Sequence, residues 1–285
     1  MHSRRPETLR SLPPRAGAPQ QEAGGHSERD RVSGKTALAN TRRQLTRWLG
    51  GQEPVVLLGL LTVGALSWGF IELAAEVVAG DTQAFDRWAV RAVRQADDPA
   101  VPLGPHWMPE LGRDATALGS MGVLSLVTLV VAGYLWLDRK FWMMLYLLAA
   151  TSSGLVLSLV LKQWIDRPRQ DVVPRLSEAF TTSFPSGHSF LSTVVYLTLG
   201  SLLAAVIPRV AVKIYVLAVA VVLSVIIGLS RLYLGMHYPT DILAGWMAGL
   251  GWALLCWTIA HWLQRHHRLE TADEPAPPEP DANSN

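Results

Sequence analysis

The chain has 285 residues, of which 49% are hydrophobic and only 17% charged, with a formal net charge of +2. A net charge this small argues for nothing by itself and directs attention to where the charges sit. The single cysteine, Cys256, rules out an internal disulfide and a zinc site built from cysteine pairs.

The first 53 residues are rich in Arg, Pro, Gly, Ser and Gln and lack an apolar run near the start. They are expected to be a disordered basic tail rather than a cleavable signal peptide. Arg42, Arg43 and Arg47 with Trp48 precede the first apolar run and suit the membrane interface. Residues 54–264 are expected to form one membrane domain. Residues 265–285, acidic and proline-rich, are expected to be a second disordered tail.

Crossing the hydrocarbon takes roughly 20 apolar residues at about 1.5 Å each. Six segments qualify: Val55–Val77, Thr116–Leu137, Phe141–Leu161, His188–Ile207, Val210–Leu229 and Thr240–Leu263. The expected fold is therefore all-α, a polytopic bundle of six transmembrane helices. Glu72 and Glu76, in the last turns of the first segment, are read as marking its exit from the membrane. Between the first two spans, Phe85, Trp88, Ala89 and Ala92 fall on one side of a helical register and arginines largely on another. That pattern predicts an amphipathic helix lying at the interface. Pro102 through Pro109 break it. The turns Asp138-Arg139-Lys140 and Pro208-Arg209 predict tight antiparallel hairpins. Gly245-x3-Gly249 permits close helix contact.

An even number of spans puts both termini on one side. Arg42, Arg43, Arg47, Arg139, Lys140, Arg209, Lys213, Arg265 and Arg268 then lie on that side, which places both tails in the cytoplasm. Three polar clusters fall together on the opposite face: Lys162-x6-Arg169, Pro185-Ser186-Gly187-His188, and Ser230-Arg231-x5-His237-x3-Asp241. Cations at the ends of spans need a reason. Snorkelling accounts for Lys162 alone but not for the whole group.

The clusters hold the parts needed to bind a phosphate and attack it. Arg suits bidentate phosphate recognition, and Lys supplies a point charge. Ser186 at a helix start, with unpaired backbone N–H groups, makes an anion cradle, and Gly187 lets backbone approach a ligand. His188 is placed to donate a proton to a leaving oxygen. Asp241 can orient His237, making it a candidate nucleophile. A metal held by His188, His237 and Asp241 is disfavoured, because three adjacent cations attract an anion instead.

These clusters resemble the motifs of the type 2 phosphatidic acid phosphatase family, Lys-x6-Arg-Pro, Pro-Ser-Gly-His and Ser-Arg-x5-His-x3-Asp, over about Phe141–Leu263. Gln170 stands where the first motif has proline, and Arg167-Pro168 lies just upstream, so spacing selects Arg169 over Arg167 as the phosphate ligand. The resemblance implies that Lys162, Arg169, Ser186, Gly187 and Arg231 bind phosphoryl oxygens, that His237 attacks phosphorus with Asp241 orienting it, and that His188 protonates the leaving group. It implies a phosphohistidine intermediate, with no metal and no cofactor. The expected partner is a lipid phosphate in the bilayer: undecaprenyl pyrophosphate first, then phosphatidic acid or phosphatidylglycerophosphate. A lipid-phosphate phosphotransferase and a non-enzymatic lipid-phosphate binder or transporter are the alternatives. A vanadate-dependent haloperoxidase is disfavoured by the membrane setting.

Overall fold

The structure is a computed structural model and describes residues 54–165, 167 and 183–272, with side chains described through 264. The basic N-terminal segment, with Arg42, Arg43, Arg47 and Trp48, lies outside the described residues. So do Arg169 and Gln170, the side chains of Arg265 and Arg268, and residues 273–285.

Every regular element among the described residues is a helix. In chain order they are α1 (Pro54–Ala79), α2 (Gln83–Ala92), α3 (Met108–Ala117), α4 (Met121–Leu137), α5 (Phe141–Trp164), α6 (Gly187–Val206), α7 (Val210–Tyr233) and α8 (Pro239–Ala272). Helices are the expected solution in lipid, where each backbone N–H and C=O must find its partner within the segment. Five of the eight are long and apolar enough to cross a membrane by themselves. A sixth span exists if α3 and α4, bent by 45°, count as one.

That bend corrects the second span. A span was expected over about Thr116–Leu137, but the helix breaks at 118–120 and α4 restarts with Ser120 as its N-cap. Its hydroxyl accepts from the Val123 N–H at 3.3 Å. Such a cap is worth about 1 kcal/mol, enough to favour a new helix start over continuation. α1, α5, α7 and α8 run slightly longer than the apolar runs, and α6 has the expected length. α5 and α7 include Lys162 and Arg231 in their last turns, and α8 continues past Gln264 to Ala272, beyond the boundary drawn for the membrane domain.

α6 and α8 carry much of the buried surface, and α6 packs against both α7 and α8. A Cβ at Gly245 would lie 2.7 Å from the Ser186 carbonyl oxygen, and one at Gly249 would lie 2.7 Å from that of Phe190. The small-residue pair of the sequence therefore seats α8 on α6 within one chain. Indole N–H groups tie further helices to this pair. Trp246 of α8 donates to the Ser224 carbonyl of α7 at 3.1 Å, and Trp252 donates to the Ala150 carbonyl of α5 at 3.3 Å. Interhelical bonds of this type contribute roughly 0.6 kcal/mol each in membrane proteins. Glu72 and Glu76 are exposed near the C-terminal end of α1.

Helix ends are made by backbone bonding. After α7, the Met236 N–H reaches the Arg231 carbonyl at 2.9 Å and the Gly235 N–H reaches that of Leu232 at 3.0 Å, with Gly235 at φ +67°. This left-handed cap turns the chain sharply and delivers His237 and Asp241 to the end of the bundle where α7 stops. Arg139, also left-handed at φ 56°, closes α4 in the same way at the other end.

Candidate active site

The polar clusters come from the C-terminal ends of α5 and α7 and the N-terminal ends of α6 and α8. In an antiparallel bundle these ends lie together. α6 begins at Ser186, whose hydroxyl accepts from the Ser189 N–H at 3.4 Å and the Ser189 hydroxyl at 3.1 Å. The Ser186 N–H donates to the Asp241 carbonyl at 2.9 Å, which fixes the start of α6 against the start of α8. Ser186 is fully buried, and its hydroxyl oxygen caps α6 as an acceptor. Lys162 reaches the same point: a Cβ at Gly187 would lie 3.4 Å from its Nζ and 3.3 Å from its Cε. Glycine here gives the ammonium room beside the helix start.

His188 follows in the first turn of α6, beside the α3–α4 break. A Cβ at Gly119 would lie 3.5 Å from the His188 ring. Arg231, 5% exposed, donates from a terminal guanidinium nitrogen to the Thr116 hydroxyl of α3 at 3.2 Å. The bent α3–α4 unit therefore touches both residues. His237 is 1% exposed, and its Nδ1 faces the Asp241 Oδ2 at 3.4 Å. The same Oδ2 accepts the Tyr238 N–H at 3.1 Å. These bonds hold the carboxylate toward the Nδ1 side of the imidazole. Among the described residues, no group of three His, Cys, Asp or Glu side chains is placed to hold a metal.

Of the expected site residues, His188, His237, Asp241, Lys162, Ser186, Gly187 and Arg231 therefore stand at one end of the bundle. Arg169 lies outside the described residues. Arg167 is held by two carboxylates and a hydroxyl. One of its terminal nitrogens bonds the Asp241 Oδ1 at 2.5 Å and the Thr240 hydroxyl at 2.9 Å, and the other bonds an Asp86 oxygen at 2.6 Å. Its guanidinium also lies 4.5 Å from the centre of the Tyr238 ring. Burial opposes its charge, but Asp241 and Asp86 more than offset this and hold its pKa above the ordinary value.

Asp86 is the site residue missing from the sequence reading. It projects from α2, is fully buried, and accepts from Thr240 through both the hydroxyl (2.8 and 3.0 Å) and the backbone N–H (3.3 Å). The interfacial helix is thus two-faced. Phe85 and Trp88, 53% and 64% exposed, meet as a tilted ring pair on the outward face, while Asp86 and Val90 turn inward. Arg94 continues the inward stripe and bonds the Tyr233 carbonyl at the end of α7 at 2.8 Å. An outward aromatic face is favourable when lipid covers it. Spacing gave one signal for the inward role: Asp86, Val90 and Arg94 recur every four residues, placing two opposite charges on one helical stripe.

Residues 140–265 match the PAP2 superfamily. Over 182 residues the chain is 34% identical to phosphatidylglycerophosphatase B of Bacillus subtilis (strain 168), covering 64% of this chain and 86% of that one. It is 28% identical over 183 residues to a lipid A 1-phosphatase of Rhizobium etli, covering 55% and 73% of the two chains. Among solved structures, a transmembrane PAP2-type phosphatidylglycerolphosphate phosphatase from Bacillus subtilis superposes with a TM-score of 0.65 at 29% identity. That match covers 72% of this chain and 98% of the other.

Proposed function

The chain belongs to the PAP2 superfamily and is an integral membrane phosphatase, a phosphoric-ester hydrolase, and from that premise we propose that it removes a phosphate from a membrane lipid at this cluster by way of a phosphohistidine. The observation that carries the reading is the His237–Asp241 pair at 3.4 Å, with Lys162, His188 and Arg231 drawn from other helices to the same end of the bundle. A phosphoryl group needs its charge neutralised and its attacking and leaving atoms placed in line. Lys162, Arg169 and Arg231 neutralise the phosphoryl oxygens, with the Gly187 amide beside them. The Ser186 hydroxyl accepts the capping bonds with its oxygen and gives its own proton to a phosphoryl oxygen.

The His237 nitrogen remote from Asp241 attacks phosphorus. The bond from phosphorus to the ester oxygen breaks as His188 gives that oxygen a proton. Water then attacks the phosphohistidine, His188 takes a proton from it, and inorganic phosphate leaves with His237 restored. Asp241 stabilises the positive charge His237 carries between the two steps. No metal takes part in either step.

The names of the relatives move the favoured substrate from undecaprenyl pyrophosphate to phosphatidylglycerophosphate. Both present a phosphate at the interface with an apolar tail in the bilayer. With α3 and α4 as one span, the count is six, both termini lie in the cytoplasm, and the site faces the outside of the cell (inner) membrane. The test is phosphate release by the detergent-purified full chain across phosphatidylglycerophosphate, undecaprenyl pyrophosphate and phosphatidic acid. Fastest release from the first supports the substrate assignment. Release of no phosphate from any of the three by folded protein overturns the reading.

A further inference from the structure

We infer that Asp86, on the interfacial helix α2, is a positioning residue for the His237–Asp241 pair, acting through Arg167 and Thr240. The inference rests on the phosphatase reading above. It starts from a charge problem. Asp241 must present a negative charge to His237 when that ring turns positive, yet its other oxygen is bonded by the Arg167 cation at 2.5 Å. Bound to Asp241 alone, Arg167 would cancel most of the charge the imidazole needs.

Asp86 changes that balance. Its fully buried carboxylate takes the second terminal nitrogen of Arg167 at 2.6 Å, so one cation is shared between two carboxylates. The Asp86–Arg167–Asp241 group keeps a net negative charge, and the oxygen facing His237 is the one Arg167 does not touch. Geometry is fixed at the same time. Asp86 accepts from the Thr240 hydroxyl and N–H, and Thr240 adjoins Asp241 at the start of α8. Arg167 is also held by its backbone, whose carbonyl accepts the Ser183 N–H at 3.0 Å. The chain between α1 and α3 thus reaches the catalytic pair through three side chains without contributing a ligand to the phosphate. Because α2 turns Phe85 and Trp88 outward and Asp86 inward, the helix that suits the lipid boundary is also the one that sets the pair.

The experiment compares Asp86→Asn, Asp86→Glu, Arg167→Gln and the double variant Asp86→Asn/Arg167→Gln in the full chain, with His237→Ala alongside. Asn keeps the shape and some hydrogen bonding with Thr240 while removing the charge, so loss through unfolding is separated from loss of charge by a thermal melt of each variant. Asp86→Asn is expected to lower kcat about ten- to a hundredfold with KM within about twofold, since misplacement of a reacting group acts on the chemical step. Asp86→Glu is expected to recover part of the loss. The double variant is expected to be no slower than Arg167→Gln alone, because both changes act through one linked group. Wild-type kcat in a folded Asp86→Asn protein, beside an inactive His237→Ala, would overturn this role and leave the phosphatase reading standing. So would losses that simply multiply in the double variant. An inactive wild type would overturn the parent reading and this role with it.

Discussion

Asp86 and Asp241, 155 positions apart in sequence, grip the same guanidinium, that of Arg167, at 2.6 and 2.5 Å. The three side chains are 0%, 0% and 10% exposed, so the group is a buried triad rather than a surface ion pair. A surface pair would contribute at most about 1 kcal/mol. In a buried one, the cost of removing a single member is set by the charges left behind.

Arg167→Gln would strand two carboxylates in the protein interior. The expected loss of stability is on the order of 3–5 kcal/mol, read as a lowered melting temperature in detergent. Arg167→Lys should recover part of it, since a lysine keeps the charge but not the two-pronged geometry. A melting temperature unchanged in Arg167→Gln would show that solvent reaches the triad.

The contact between α6 and α8 makes a second test. Gly245→Ala would drive a methyl to within 2.7 Å of the Ser186 carbonyl oxygen, a backbone atom that cannot swing aside. We expect a destabilisation of about 1–3 kcal/mol and reduced turnover, because the shift lies one helical turn from Asp241. Gly133→Ala in α4 meets nothing within 4 Å and serves as the control, with stability at or above that of the parent.

Orientation can be read chemically with single cysteines in a Cys256→Ser background. Val101→Cys, in the loop after α2, should react with a membrane-impermeant maleimide in intact cells. Arg209→Cys, between α6 and α7, should react only after permeabilisation. Both positions are exposed in the structure. The reverse pattern would place the site in the cytoplasm.

Metal removal is the fourth test. Turnover measured in excess EDTA is expected to stay within about twofold of its value without chelator, because the proposed steps draw their charge stabilisation from Lys162, Arg169 and Arg231. Loss of turnover that is restored by one divalent ion would revive a metal-dependent mechanism.

Most of the bundle was legible because bilayer thickness imposes one length on every span. The polar clusters were legible because phosphoryl chemistry needs particular side chains at fixed spacings beside helix ends. Asp86 escaped because one carboxylate on an amphipathic helix resembles ordinary surface charge, and its partners, Arg167 and Thr240, lie far away in sequence. Its four-residue rhythm with Val90 and Arg94 carried the signal, but the aromatic stripe of Phe85 and Trp88 was the louder one. The break before α4 was hidden for another reason. Hydropathy measures the medium around a segment, whereas the Ser120 cap that restarts the helix is a single polar contact. Arg167 was noticed only as a rival to Arg169. Spacing could separate the two residues but could not reveal the pair of carboxylates that claims the first.

The most direct test of the account is phosphate release from phosphatidylglycerophosphate by purified full-length protein and its His237→Ala variant, matched for folding by thermal melt. The expected result is steady release by the parent and a loss on the order of a thousandfold or more in the variant, since the nucleophile itself is gone. Turnover by His237→Ala within about tenfold of the parent would contradict the account, because a phosphohistidine at that position would then play no part.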